Sequence, residues 1–143
     1  LLSSMVVGPN TLCHGDYRAD NLLFNENNEP VAVDFQLLGT GTGAYDIAYF
    51  VTQSLTPEVA SKHERDLFDQ WVTALITHGA PAGLVDRDTL WLHYRTAALF
   101  CLAYPVIASR GMDLSDSRQR TLIEVMTNRF DRAVRELNLA ELL

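Results

Sequence analysis

The spacing of apolar positions changes character near residue 44. Before it, apolar residues come in short runs broken by polar turns; after it, they recur at helical spacing. Residues 1–10 are an apolar lead-in ending at Gly8-Pro9-Asn10, a turn. Thr11–His14 is a short strand candidate that delivers Asp16 into a loop. Leu22-Leu23-Phe24 and the β-branched run Val31–Phe35 read as two further strands. Asn25-Glu26-Asn27-Asn28-Glu29-Pro30 between them is dense in turn formers, so residues 22–35 predict a hairpin. Gln36–Gly43 carries three glycines in Gly39-Thr40-Gly41-Thr42-Gly43 and predicts a flexible surface loop.

From Ala44 the pattern is helical to Leu55. Thr56-Pro57-Glu58 starts a second helix, with Thr as N-cap and Pro in the first helical position. It should run to about His78 and stop at Gly79-Ala80-Pro81. Asp86 caps a third, roughly 87–110. Its stretch from Trp91 to Ile107 is apolar on most sides, which predicts a buried central helix kinked at Pro105. Ser115 or Asp116 caps the last, to about Glu136, with Leu122, Val125, Met126, Phe130 and Val134 on one stripe. Leu139–Leu143 adds a final turn. The sum is an α+β chain, mainly α: a small hairpin on about four helices, in one domain spanning 1–143.

Composition narrows the class. Hydrophobic residues make up 48% of 143, enough for a core and against disorder. No apolar run approaches the ~18 residues of a membrane span, and the first residues carry no basic signal-peptide region. Cys13 and Cys101 stand far apart in apolar surroundings, as free thiols of a reducing cytoplasm would. His14, His63, His78 and His93 make no zinc-type spacing. A net charge of −7 argues against a nucleic-acid partner and is compatible with a cationic substrate. The chain opens in mid-pattern without an initiator Met and is expected to be a piece of something longer.

The candidate chemistry gathers in Leu12-Cys13-His14-Gly15-Asp16-Tyr17-Arg18-Ala19-Asp20-Asn21 and Val31-Ala32-Val33-Asp34-Phe35-Gln36. Asp16 and Asn21 are five residues apart, Asn21 and Asp34 thirteen. Antiparallel pairing of the hairpin arms brings Asn21 and Asp34 together. Phosphoryl transfer needs a group to orient and deprotonate the attacking hydroxyl, and hard oxygen donors for Mg²⁺. Asp16 suits the first role; the amide oxygen of Asn21 and the carboxylate of Asp34 suit the second. A capped turn before an ordinary hairpin is the competing explanation. It does not account for three such groups meeting in one loop.

His14-Gly15-Asp16-x-x-x-x-Asn21 followed by Asp34-Phe35 resembles the catalytic loop and metal motif of the protein-kinase-like fold. Protein kinases carry Arg at the position of Gly15 and Gly at that of Gln36. The His-Gly-Asp form is similar to the aminoglycoside phosphotransferase and choline kinase group, and Asp-Phe-Gln looks most like its ecdysteroid-kinase-like branch. Tyr45-Asp46-Ile47-Ala48 resembles a further element of these families, although their Pro is here Thr42 or Gly43.

The resemblance implies the C-terminal lobe of that fold, and ATP-dependent phosphotransfer to a hydroxyl of a small molecule. Asp16 is then the catalytic base, and Asn21 and Asp34 hold Mg²⁺ and, through it, the nucleotide. His14 and Asp46 support the loop. Arg18 contacts the transferred phosphoryl group or makes a surface salt bridge. Asp20 is a solvated loop carboxylate or a further metal contact.

Other residues are open. Trp91, Tyr94, Arg95, Phe100 and Tyr104 line a substrate pocket or pack the core. Asp113, Asp116 and Glu124 meet a cationic substrate or face water. A complete kinase of this kind also needs a nucleotide-gripping N-terminal lobe with a strand lysine. Only thirteen residues precede His14, and Lys62, the one lysine, falls on an expected exposed helix. That lobe is therefore expected to come from elsewhere, in cis or in trans, and this chain alone should turn over little. The alternative is a non-catalytic single-lobe or pseudokinase-like binding module.

Overall fold

A computed structural model describes residues 10–143. Most of the turn expected at Gly8-Pro9-Asn10 lies outside the described residues, and Asn10 itself opens the first strand. β1 (Asn10–Cys13), β2 (Leu22–Phe24), β3 (Pro30–Ala32) and β4 (Gly39–Thr42) form two antiparallel pairs, β1 with β4 and β2 with β3. α1 (Ala44–Ser54), α2 (Pro57–Thr77), α3 (Arg87–Phe100), α4 (Ala103–Ser109) and α5 (Ser117–Glu136) make up most of the rest. The architecture is α+β and mainly α.

The hairpin is tied at its tip by Asn25. Its Oδ1 accepts from the backbone N–H groups of Asn27 (3.0 Å) and Glu29 (2.9 Å), and Asn28 takes the left-handed turn position at φ 61°. The returning arm is shorter than expected. It pairs only over Pro30–Ala32, and the chain leaves it at Asp34 for a 3-10 turn over Phe35–Leu37.

The glycine-rich segment is not a free loop. Gly39–Thr42 pairs with β1 residue for residue, Asn10 opposite Thr42 and Cys13 opposite Gly39. Low intrinsic strand preference is overridden here by tertiary pairing: β1 has no other partner among the described residues. Gly43 is demanded by packing, since a Cβ there would lie 3.0 Å from Thr11 Cγ2 and 3.3 Å from the Trp71 ring.

The third expected helix is two helices. In one continuous helix the N–H of residue 105 would bond the Cys101 carbonyl, and proline has none. Cys101 O instead accepts from Tyr104 N at 3.2 Å, and Pro105 falls in the first turn of α4, where no such bond is required. The burial expected from Trp91 to Ile107 holds for Tyr94, Ala97, Ala98 and Cys101 but fails at Leu92, Val106 and Ile107, which are exposed. The α5 stripe behaves likewise: Phe130 is buried, while Leu122 and Val125 lie open.

The core forms where small residues let helices approach. α1 packs most extensively on α3, with Ala44, Ala48, Ala97 and Ala98 all fully buried. α2 buries Ala60, Glu64, Phe68 and Val72, one face at four-residue spacing. Its start is capped by the Thr56 hydroxyl, and Asp86 and Asp116 cap α3 and α5. Both cysteines are buried free thiols, and burial pushes Cys13 up to about 11 and Cys101 to about 12. No described helix is long and apolar enough to cross a membrane.

A charged cluster pins three helices together. Arg132 of α5 donates to Glu64 of α2 at 2.6 Å, and Tyr94 of α3 donates to the other Glu64 oxygen at 2.6 Å. Glu136 takes a further Arg132 bond at 3.2 Å. Both members of the Glu64–Arg132 pair are about nine-tenths buried, so removing one strands the other's charge. Arg132→Met should therefore lower unfolding free energy by about 3–5 kcal/mol, read from urea denaturation; a midpoint unchanged from wild type would show the pair to be energetically idle.

Candidate active site

The loop between β1 and β2 is held from behind by one carboxylate. Asp46, in the first turn of α1, accepts from the backbone N–H of His14 (Oδ2, 2.7 Å) and of Gly15 (Oδ1, 3.0 Å). An anion at a helix N-terminus is also favoured by the helix dipole. His14 is buried, and its ring completes the support. Nδ1 accepts from Asp16 N–H at 3.3 Å, which leaves Nε2 to carry the proton and donate to Val33 O at 2.9 Å. His14 thus ties the loop to the second hairpin arm, with the Phe35 ring tilted against it at 4.7 Å.

Gly15 sits at φ +84°, and a Cβ there would come within 2.4 Å of Leu37 O. Any side chain would collide with the turn that follows Asp34. The turn over Phe35–Leu37 occupies that space.

Asp16 and Asn21 are brought into contact, and Asp34 directly follows the residue whose backbone pairs with Asn21. Asn21 is buried, and its amide N–H groups donate to Asp16 O (2.8 Å) and Asp16 Oδ2 (3.0 Å). Both partners are acceptors, so the amide orientation is fixed and Asn21 Oδ1 points away with no hydrogen-bond donor among the described residues. Asn21 O accepts from Val33 N at 2.9 Å, extending the hairpin ladder to the residue before Asp34. Asp34 itself is exposed and left-handed, φ 64° and ψ 61°. For a non-glycine residue this is a strained conformation of the kind that clusters at functional sites. Its nearest described donor is Gln36 Nε2, at 3.5 Å.

Among the described residues no three His, Cys, Asp or Glu side chains gather tightly enough to hold a metal by themselves. Asn21 Oδ1 and the Asp34 carboxylate are one neutral and one anionic oxygen donor, each without a strong protein partner. That donor set fits Mg²⁺, which commonly takes one or two protein oxygens and fills its shell with water and phosphate.

Arg18 lies beside Asp16, with Nε 3.5 Å from Asp16 Oδ1 and Nη1 3.6 Å from Asp20. It is half exposed, so the attraction is screened. Next to it opens a cavity of about 330 Å³ whose walls include Tyr49, Tyr104, Ile107, Met126 and Arg129. Patterning alone did not single out Tyr49, Met126 or Arg129 as site residues: α1, α4 and α5 meet here only through tertiary packing.

The remaining aromatic candidates divide. Tyr104 lines the cavity, and its hydroxyl pairs with that of Tyr45, which also donates to Gly15 O at 3.4 Å. Phe100 packs against the Tyr45 ring, while Tyr94 is buried in the core and Trp91 stacks on it. Arg95 is committed to the C-terminus through Leu137 O, Asn138 O and Glu141. Asp113 and Asp116 are spent on the turn and cap that start α5, and Glu124 is exposed. Lys62 is exposed on α2.

Residues 7–83, just over half of the chain, match the model of the ecdysteroid kinase-like family. The chain belongs to that family, which places it in the kinase-like class of phosphotransfer at the coarse level. No curated protein and no solved structure gives a significant match.

The double acceptance by Asp46 makes a direct prediction. Asp46→Ala leaves two backbone donors without their charged acceptor and should cost about 1.5–3 kcal/mol. The amides of His14 and Gly15 should lose protection in hydrogen exchange while α2 and α5 keep theirs. Unchanged exchange at both amides would show that the loop does not depend on this carboxylate.

Proposed function

We propose that the chain is the C-terminal lobe of an ATP-dependent kinase that phosphorylates a hydroxyl of a small molecule. The observation that carries this reading is the double hydrogen bond from the Asn21 amide to Asp16. It leaves the Asn21 carbonyl oxygen without a protein donor and holds Asp16 in place through Oδ2, with Arg18 and Tyr49 at the rest of the carboxylate.

In this reading Asp16 accepts the proton of the acceptor hydroxyl as its oxygen attacks the γ-phosphorus and the bond to the β-phosphate oxygen breaks. Asn21 and Asp34 hold Mg²⁺, which when bound neutralises charge on the phosphates. Arg18, poised 3.5 Å from Asp16, is placed to steady the phosphoryl group in transit. His14 and Asp46 keep the loop backbone in register. Adenine and the remaining phosphate contacts come from an N-terminal lobe supplied in cis or in trans, and the exposed Leu23, Phe24, Val31 and Phe35 around the loop are compatible with such cover.

The test is ATP consumption by the full-length protein across a library of hydroxylated metabolites. Asp16→Asn should lower kcat by about 10²–10⁴-fold with folding and nucleotide affinity intact. Asp34→Asn should instead weaken Mg·ATP binding, by at least about tenfold. Wild-type kcat in Asp16→Asn would refute the base assignment. A full-length protein that neither binds nor consumes ATP would favour a non-catalytic binding module.

A further inference from the structure

Four tyrosines lie on the helices, and three of their hydroxyls bond other groups of the helices. Tyr45 and Tyr104 bond each other, and Tyr94 donates to Glu64. Tyr49 differs: its side chain is among the core residues, 6% exposed, and its hydroxyl lies against the Asp16 carboxylate rather than another group of the core. Buried tyrosines ordinarily satisfy that group.

The surroundings say what the hydroxyl faces. Tyr49 is on the wall of the cavity of about 330 Å³ shared with Arg18 and Tyr104. Its ring is clamped, stacked on Tyr45 at 5.8 Å and packed against Tyr104 at 4.8 Å. Burial, and then the neighbouring Asp16 carboxylate, hold the phenol well above its ordinary range, so it remains a proton donor at any working pH. A rigid donor that lies against Asp16 and also lines the cavity is placed to meet whatever oxygen Asp16 engages.

We propose that the Tyr49 hydroxyl binds the reacting oxygen of the acceptor and, with Asp16, fixes its orientation for attack. This rests on the kinase reading above. An acceptor hydroxyl has one proton and two lone pairs. The proton goes to Asp16, one lone pair forms the new bond to the γ-phosphorus as ADP departs, and the other accepts from Tyr49. The grip strengthens as the acceptor oxygen loses its proton, so the contact acts in the transition state more than on binding.

The experiment uses the full-length protein with Mg·ATP and water as the acceptor probe, followed by phosphate release. Tyr49→Phe removes one oxygen and keeps the ring packing. It should lower kcat by about tenfold, the scale of one lost hydrogen bond, with the KM for Mg·ATP and the Tm unchanged. Tyr94→Phe, which loses a core hydrogen bond away from the cavity, should lower the Tm and leave kcat alone. If Tyr49→Phe keeps wild-type kcat while Asp16→Asn is inactive, the kinase reading stands and the Tyr49 assignment is overturned. A kcat loss accompanied by a Tm loss like that of Tyr94→Phe would make Tyr49 a packing residue and overturn it too. A wild-type protein with no phosphate release above the Asp16→Asn level overturns both.

Discussion

One carboxylate carries the arrangement of the site. Asp46 takes the two successive backbone N–H groups at the bend where β1 ends, and it does so from the first turn of a helix whose own position is set by alanine-to-alanine packing on α3. Its two oxygens are separated by the right distance to meet adjacent amides, and ionisation makes both bonds charge-assisted. The loop is thereby referenced to the densest part of the helical core rather than to its own short strands. Everything chemical follows from that reference: the His14 ring reaches Val33, Asn21 reaches back to Asp16, and Asp34 follows directly on Val33.

The same core is kept in place by a different kind of interaction. Glu64, Arg132 and Tyr94 form a buried polar knot among α2, α3 and α5, and Arg129 reaches from α5 to the carbonyls of Gln53 and Ser54 at the end of α1. Ser54 in turn accepts the Ala19 N–H of the loop at 2.9 Å. The loop is therefore anchored at both ends of α1, by Asp46 at the start and Ser54 at the finish. A cation at a helix C-terminus and an anion at its N-terminus each complement the dipole of α1.

Much of this was legible from the residues. Caps and breakers placed α2 and α5 within a residue or so, because Thr56-Pro57 and Asp116 act locally. The Asp16–Asn21 contact was readable because a five-residue spacing lets the loop close on itself, and the hairpin turns the longer spacing to Asp34 into a short path across its two arms. What escaped was non-local. The strand Gly39–Thr42 forms only because β1 is there to pair with it, against the preference of its glycines. The break at Cys101 required following one missing N–H at Pro105 to its carbonyl rather than expecting a bend. Nothing in the neighbours of Glu64 along the chain announces Arg132, and nothing around Tyr49 announces the cavity it lines.

The pairing of Cys13 with Gly39 has a consequence for how such a chain can change. Residues 14–38 leave and re-enter the structure at one point, zipped shut by β1 and β4, so the whole chemical segment is a closed excursion from the helical body. Closing a loop costs entropy that grows only with the logarithm of its length, roughly (3/2)RT ln n. Insertions or replacements at the hairpin tip, around Glu26–Glu29, are therefore cheap and mechanically insulated from the helices. Diversification of what meets the loop can proceed there and on the cavity wall separately, while Asp46 and Ser54 keep the base of the loop fixed to α1.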